Sequence, residues 1–419
     1  MLESRGASFM RNRLAGLVTL GRMRIRVIRL RLTRPRLVAI GALALAGLAL
    51  LLGVFFPPNQ PSAGATVTGV DATPIGPSLL VSEFSDTSST LWLVEPQDPR
   101  NRSPFLRVDH APGWELDGSV SPNGDQLAYV VLAPGRRDAE TEASLLITRG
   151  DGGTATLLAE GVDLRGGVTW TQDGTALLVR RTTVSADGRR TFSILEVRLS
   201  DGRVTTQLTR DDVAALHVIG RPSDGALYTA LITRAGTRLL AVGDEKSTLL
   251  SSTITRDWNL SPDGDHLAYT EQSGLAMQVR VVSLTEFEPA FPALRAATAS
   301  GQTLLEADAV LNDTPATVGT ASPIWAPDGS LSVGAFQTRA PGDGELRTAS
   351  SGGDTTATAG FALPLAWSSD GAHLAIRAFE GSGPGRSTAE TAAIVGPSGE
   401  SRTVDGSHIL VLGWWNAAR

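Results

Sequence analysis

Two patterns of apolar positions divide the chain into a short N-terminal part and a long C-terminal part. From Leu37 to Phe56 the sequence is an unbroken apolar run, LVAIGALALAGLALLLGVFF, without a charged residue. Beyond this run, short apolar segments of strand length recur and are separated by turn-forming residues. The first pattern is typical of a helix in a lipid bilayer, and the second is typical of a β-protein built from repeats.

The C-terminal repeats share a local pattern of an apolar residue, a turn that ends in Gly, and a strand. Six segments contain this turn and strand, and Arg221 breaks the apolar rule in one of them: Val120–Val131, Trp170–Arg181, Arg221–Ile232, Leu260–Glu271, Trp325–Phe336 and Trp367–Ala378. Their turn glycines lie 50, 51, 39, 65 and 42 residues apart. A four-stranded propeller blade takes roughly 40–50 residues, so each segment predicts one blade. The 65-residue interval leaves room for an inserted loop.

The turn residues are expected to build the fold. Pro presets φ, Asp bonds the local backbone, and Gly adopts the left-handed conformation. The alternation after each turn predicts a half-buried strand. The structural turn residues are Gly124, Asp173, Gly174, Asp224, Gly225, Asp263, Gly264, Asp328, Gly329, Asp370 and Gly371.

The two ends of the repeat region resemble parts of one further unit. Residues 408–419, HILVLGWWNAAR, resemble the strand that precedes each turn, whereas GPSLLVSEF at 76–84 and STLWLVEP at 89–96 resemble later strands. Joining them would close a circle of blades and remove the exposed sheet edges. We therefore predict an all-β fold, a seven-bladed β-propeller over residues 77–416 closed by a composite blade. Six or eight blades stay open as alternatives.

The repeated W-S-P-D-G-x-x-L-A-Y type motif resembles the WD40-like (PD40) repeat of TolB-type propellers. Similar repeats occur in the propeller domains of prolyl oligopeptidase-like peptidases. The resemblance covers about residues 76–415 and implies an extracytoplasmic propeller that binds proteins, peptides or glycans. The chain departs from TolB in having an apolar run instead of an N-terminal globular domain. It departs from the peptidases because its sequence has no G-x-S-x-G nucleophile elbow.

The N-terminal pattern predicts a membrane anchor. Twenty helical residues, 37–56, would span about 30 Å, the thickness of a bilayer's apolar core. Residues 1–36 contain ten Arg and one acidic residue, a composition that keeps a segment in the cytoplasm. Residues 57–76, rich in Pro, Gly, Ala and Thr, predict a tether. We expect a single-pass cell-membrane protein with an extracytoplasmic propeller; cleavage near Ala65 is the alternative, because Ala63 and Ala65 form an A-x-A site.

Composition and charge narrow the classes of function. The chain has no Cys, which excludes disulfides, thiol catalysis and Cys-ligated metals. The net charge is −6 overall and +9 over residues 1–36, which leaves −15 on the remaining 383 residues and argues against a nucleic-acid partner. The five His form no zinc motif, and the acidic residues form no EF-hand loop. We predict no metal, no other cofactor and no catalytic residue.

Trp114 and Trp258 are the candidate ligand-binding residues. Trp170, Trp325 and Trp367 share one position in the repeat, which indicates packing between blades. Trp114 and Trp258 lie outside that register, near the starts of blades, although core packing is the alternative for them too. We predict a non-catalytic binding or scaffold module for a protein, peptide or glycan at the cell envelope. A glycan or peptide lyase or hydrolase with its site in the central funnel is the alternative function.

Overall fold

The computed structural model describes residues 76–135, 141–150, 154–223, 225–243, 246–273, 276–285, 318–337, 344–349, 355–359, 361–380 and 389–416. They belong to the second of the two units into which the chain divides, Ala63–Arg419. They form 27 β-strands and one 3₁₀ helix, Leu164–Gly166. None of the described helical segments is long and apolar enough to cross a membrane. The predicted tail, anchor and residues 57–75 of the predicted tether lie outside the described residues.

The first of seven antiparallel sheets joins the two ends of the repeat region. Its strands lie in the order β27, β1, β2, β3. Their bounds are β1 Pro77–Phe84, β2 Ser88–Val94, β3 Arg102–Asp109 and β27 Ile409–Asn416. Strand β27 pairs with β1 in a register that places Pro77 opposite Asn416 and Glu83 opposite Ile409. This sheet combines strands from both ends of the repeat region, and we number it blade 1.

Six further sheets follow in chain order as blades 2 to 7. Blade 2 contains β4 Asp117–Val120, β5 Gln126–Val131, β6 Ala143–Arg149 and β7 Thr156–Val162. Blade 3 contains β8 Val168–Trp170, β9 Ala176–Val184, β10 Arg190–Arg198 and β11 Val204–Arg210. Blade 4 contains β12 Ala215–Gly220, β13 Leu227–Thr233, β14 Gly236–Val242 and β15 Lys246–Ser251.

The last three blades continue this order. Blade 5 has three described strands, β16 Thr255–Leu260, β17 His266–Ser273 and β18 Ala276–Ser283. Blade 6 contains β19 Val318–Trp325, β20 Leu331–Gln337, β21 Gly344–Ala349 and β22 Thr355–Ala359. Blade 7 contains β23 Ala362–Trp367, β24 Leu374–Glu380, β25 Ala389–Val395 and β26 Ser401–Thr403. The inserted loop is predicted over residues 285–320; residues 286–317 of it lie outside the described residues, and residues 318–320 belong to β19.

The first strand of each blade lies on the inside of a closed circle. Strand β27 contacts β4, β4 contacts β8, β8 contacts β12, and β12 contacts β16. The circle continues through β19 and β23 and returns to β27. Seven innermost strands that contact one another in cyclic order define a seven-bladed propeller. The predicted all-β fold and blade number are confirmed.

Indole N–H groups connect adjacent innermost strands. Trp170 Nε1 donates to the backbone oxygen of Ser119 at 3.0 Å, from blade 3 to blade 2. Trp325 Nε1 donates to Asn259 O at 3.2 Å, and Trp414 Nε1 donates to Ala366 O at 2.9 Å. Each bond runs from the Trp at the end of one innermost strand to the preceding blade. Trp367, at the same position in the repeat, instead donates to Ser332 Oγ of the preceding blade at 3.2 Å.

The second strands are buried on both faces, so the predicted half-buried strand is wrong for blade 2. In β5, Leu127 and Tyr129 pack into an apolar cluster shared with blade 1. The alternate residues Ala128 and Val130 pack into a cluster shared with blade 3. Both faces of a blade contact a neighbouring blade, and this explains why the motif continues as LAYVV rather than alternating with polar residues.

The turns between the first and second strands combine a left-handed Gly with local hydrogen bonds. The φ angles are 78° at Gly124, 70° at Gly174, 77° at Gly264, 82° at Gly329 and 68° at Gly371. Gly225 closes its turn by donating to Pro222 O at 3.2 Å, and Asp224 lies outside the described residues. These turns form one end of the circle of innermost strands.

The carboxylates in these turns accept hydrogen bonds from neighbouring residues. Asp328 Oδ1 accepts from the backbone N–H and the hydroxyl of Ser330 at 2.9 and 2.7 Å. These bonds lower the pKa of Asp328 below its usual value. Asp173, Asp263 and Asp370 accept equivalent bonds, which lower their pKa values although burial alone would raise them.

Candidate functional site

The candidate site lies at the other end of the innermost strands, opposite the turns. The segments that enter these strands, and strands β9, β12 and β16, carry titratable and aromatic side chains in blades 1 to 5. We name this set the rim cluster; it consists of Trp114, Glu115, Asp117, Asp163, Arg165, Arg180, His217, Trp258 and His408. Its members are connected by pairwise interactions or by closeness in the chain.

An acidic corner of the rim lies where blade 2 meets blade 1. Glu115 and Asp117 lie at the entry to β4, and His408 directly precedes β27. Burial raises the pKa of Glu115, the charge of Asp117 raises it further, and His408 acts in the opposite direction. Burial also raises the pKa of Asp117, and its backbone bond to Gly118 compensates only in part. Both carboxyls therefore hold a proton to a higher pH than exposed carboxyls do.

One oxygen of this corner has no partner within the protein. Glu115 Oε1 is buried and forms no hydrogen bond to any described residue. A buried acceptor without a donor costs free energy that a donor on a bound molecule would recover. This oxygen therefore makes Glu115 the side chain of the acidic corner best placed to accept a bond from a ligand.

Trp114 connects the acidic corner to blade 3. Its ring is half-buried against the apolar cluster between blades 2 and 3. The guanidinium of Arg165, in the 3₁₀ helix, lies 5.6 Å from the centre of the indole. A cation over an aromatic face at this distance is attracted to it. Trp114 therefore presents part of an aromatic surface next to a positive charge and two carboxyls.

A buried ion pair forms the next part of the rim. Arg180 Nε donates to Asp163 Oδ2 at 2.5 Å, and the two side chains are 14% and 4% exposed. Asp163 also accepts bonds from the backbone N–H and hydroxyl of Thr182 at 2.8 and 2.6 Å. Arg180 donates a further bond to Leu216 O at 3.0 Å, which reaches blade 4. Arg180 therefore fixes the rim geometry through its bonds to Asp163 and Leu216.

His217 and Trp258 extend the rim across blades 4 and 5. Their ring centres lie 5.1 Å apart. Burial and the charge of Arg180 lower the pKa of His217 to about 4, so the imidazole is neutral at pH 7. Trp258 Nε1 donates to Thr255 Oγ1 at 2.9 Å, and the indole packs against the blade 4–5 core. Trp258 is therefore half-buried, as Trp114 is, and partly engaged in packing.

The sequence predicts Trp114 and Trp258 as binding residues but not the charged members of the rim. The two Trp belong to the same arc of contacts, with Trp258 at its blade 5 end and Trp114 between the acidic corner and blade 3. Glu115 stands just before, and Asp117 at the start of, the strand that leads to the Gly124 turn. Their position at a strand entry could have indicated them. Asp163 and Arg180 come from a linker and a second strand, and only the fold brings them together.

Two of the other His residues, His266 and His373, pack between blades. The His266 ring lies 6.3 Å from that of Trp325, and His373 lies 5.8 Å from Trp414. Each contact joins a blade to the next one. Among the described residues, no group of three or more His, Asp and Glu is arranged to hold a metal ion.

No protein-family model matches the chain. No curated protein matches it either. Solved structures do show similarity. TolB from Acinetobacter baumannii has a TM-score of 0.40 and 16% identity, over 66% of this chain and 62% of that one.

Two enzymes are also similar in structure. An acylaminoacyl peptidase from Pyrococcus horikoshii has a TM-score of 0.48 and 11% identity, over 80% of this chain and 53% of that one. An oligogalacturonate lyase from Vibrio parahaemolyticus has a TM-score of 0.46 and 10% identity, over 82% and 87% of the two chains. The chain thus spans less than two thirds of the TolB and peptidase lengths. Its seven-bladed architecture rests on its own strand pairing, and a ligand must be argued from its own side chains.

Proposed function

We propose that this protein is a non-catalytic binding or scaffold module whose rim cluster holds a peptide segment of a partner protein. The observation that carries the proposal is the convergence of five blades on one end of the propeller. Two half-buried indoles, two carboxyls with raised pKa values and an exposed Arg165 lie along one connected arc. Ligand sites combine apolar surface with a few fixed polar groups in this way.

The chemistry of the rim favours a peptide that donates hydrogen bonds. Glu115 Oε1 lacks a donor, and the ring nitrogens of neutral His217 can donate and accept. Trp114 offers a face for an apolar or cationic side chain. The acidic body supports a neutral or basic partner and gives no support to nucleic acid. A glycan is the other ligand class that indoles and carboxyls suit.

We further propose that residues 37–56 anchor the propeller in the cell membrane. In this arrangement residues 1–36 form a cytoplasmic tail, residues 57–76 form the tether, and the propeller of residues 77–416 lies outside the cytoplasm. The apolar run and the ten preceding Arg support it. A C-terminal reporter that is active only outside the cytoplasm would agree with this topology, and activity inside would contradict it.

Capture of partners from envelope extract tests the rim as a binding site. The full chain with a C-terminal tag is used as bait, and bound proteins are identified by mass spectrometry. The variants Trp114→Ala and Glu115→Leu should lose the partner that the wild type retains, because Leu has a similar size and no hydrogen-bond acceptor. Arg198→Ala is the control, because Arg198 is exposed on blade 3 and paired with Asp201 at 3.5 Å. Equal retention by the rim variants and the control would contradict the proposal.

The alternative function, a funnel-site enzyme, is favoured by one observation. A carboxyl with a raised pKa can serve as a general acid, and Glu115 and Asp117 are two such groups on one strand entry. Turnover of a glycan or peptide by the wild type, lost in both Glu115→Gln and Asp117→Asn, would establish the enzyme. Partner capture without turnover would establish the binding module.

A further inference from the structure

A cavity separate from the rim lies between the outer parts of blades 3 and 4. Its volume is about 670 Å³, and strands β11, β13, β14 and β15 contribute its walls. Small-molecule sites typically measure roughly 300–1,000 Å³, so the cavity has the size of a ligand site. We name it the blade 3–4 cavity.

One wall of the blade 3–4 cavity is apolar. Leu231 and Leu240 are each 7% exposed and belong to the apolar cluster between the two blades. The half-buried Leu208 extends this surface towards the outer strand of blade 3. An apolar body placed here would remove this surface from water without displacing a strand.

Two guanidinium groups line the same cavity. Arg210 Nε is buried and forms no hydrogen bond to any described residue. Arg238 donates to Ser247 Oγ at 2.8 Å, and neither Arg forms an ion pair with a described residue. Among the described lining residues Asp212 is the one carboxylate, so the described part of the lining carries a net positive charge. An unpaired buried N–H donor is a group that a ligand acceptor would satisfy.

The charge around the cavity contrasts with the rest of the body. The described lining residues contain two Arg and one Asp, whereas the 383 residues after position 36 carry a net charge of −15. An acidic body repels anions in general, and a local positive region with apolar walls attracts an anion to one place. Charge complementarity therefore selects an anionic occupant.

We propose that the blade 3–4 cavity binds a small organic carboxylate with an apolar body. The carboxylate accepts hydrogen bonds from Arg210 and Arg238, and the apolar body packs on the leucine wall. Guanidinium–carboxylate bonds are charge-assisted and stronger than neutral ones. Asp212 opposes the ligand charge and limits the affinity.

Fluorine NMR on the full chain tests this site with two probes of equal size. The charged probe is para-trifluoromethylbenzoate, and the neutral probe is para-trifluoromethylbenzamide. The benzoate should bind saturably and at least about tenfold more tightly than the benzamide, because hydrogen bonds to charged groups carry the difference. Raising the salt concentration should weaken the benzoate alone.

Matched variants locate the binding. Arg210→Met and Arg238→Met keep an apolar stem and should each weaken benzoate binding about tenfold, whereas Asp212→Asn should strengthen it severalfold. Arg198→Met is the control and should bind as the wild type does, since Arg198 lies on blade 3 outside the cavity lining. Circular dichroism confirms that each variant is folded. The proposal is overturned by absence of saturable benzoate binding, by equal binding of both probes, or by Arg210→Met and Arg238→Met behaving like the control.

Discussion

The indole N–H of Trp414 should stabilise the closure of the propeller, whereas that of Trp92 in the same blade should not. Trp414 is 5% exposed and donates to Ala366 O at 2.9 Å, which connects blade 1 to blade 7. The Nε1 of Trp92 is also buried but has no hydrogen-bond partner among the described residues. The variants Trp414→Phe and Trp92→Phe each remove a buried indole N–H group, which is hydrogen-bonded at Trp414 and unpaired at Trp92.

The expected difference follows from the two environments. Loss of the Trp414 bond should cost about 0.5–1.5 kcal/mol, and removal of an unsatisfied buried donor at Trp92 should recover about 1–3 kcal/mol. Trp414 is the more buried of the two rings, so replacing it with the smaller Phe leaves the larger cavity. This cavity further destabilises Trp414→Phe relative to Trp92→Phe. Trp414→Phe should therefore be less stable than Trp92→Phe by about 2–4 kcal/mol, a large share of the roughly 5–15 kcal/mol that stabilises a folded protein.

Urea unfolding of both variants, followed by far-ultraviolet circular dichroism, measures this difference. Equal slopes of the unfolding free energy against urea would show that the variants expose the same surface, so that midpoints can be compared. A Trp92→Phe variant that is destabilised as much as Trp414→Phe, or more, would refute the assignment of the closing bond to Trp414.

Three further predictions concern the rim and the turns. Since burial raises the pKa of Asp117, Asp117→Asn should be more stable than the wild type at pH 7. This gain in stability should vanish below about pH 4, where the Asp117 carboxyl is protonated in the folded and in the unfolded state. Asp328→Ala should lose about 0.5–1.5 kcal/mol of unfolding free energy at pH 7, and this loss should shrink in acid because hydrogen bonds lower the pKa of Asp328. Urea midpoints at neutral and acidic pH measure the effects of Asp117→Asn and Asp328→Ala. Gly329→Ala should cost about 1–2 kcal/mol for its φ of 82° in open space, whereas Gly124→Ala should cost clearly more in thermal unfolding, because its Cβ would overlap the side chain of Asn416.

The blade arrangement could be predicted from sequence because each blade repeats the same local chemistry. The turn glycines gave the period, and the match between residues 408–419 and the strands before the turns indicated how β27 pairs with β1. The two-sided burial of β5 was not anticipated, since a single strand's pattern does not show that blades pack on both of its faces. Trp170, Trp325 and Trp367 recur in register, and this recurrence predicts the contacts that they make between blades.

The charged part of the rim could not be predicted in the same way. Asp163 and Arg180 are 17 residues apart and meet because a linker folds back over the second strand of blade 3. Glu115 and His408 come from nearly opposite ends of the propeller sequence and interact only after the composite blade has formed. Such groups lie outside the repeat, so they have no periodic signal. The blade 3–4 cavity likewise depends on the spacing of two sheets.

The pairing of β1 with β27 has a consequence for the order of events during synthesis. Strand β1, PSLLVSEF, is made first among the blade strands, but its partner on the inner side is made last. Until the ribosome has translated that partner, an apolar strand keeps one hydrogen-bonding edge open to other nascent chains. Slow translation of the segment that ends in β27 should therefore increase aggregation, and a chaperone that shields β1 should reduce it.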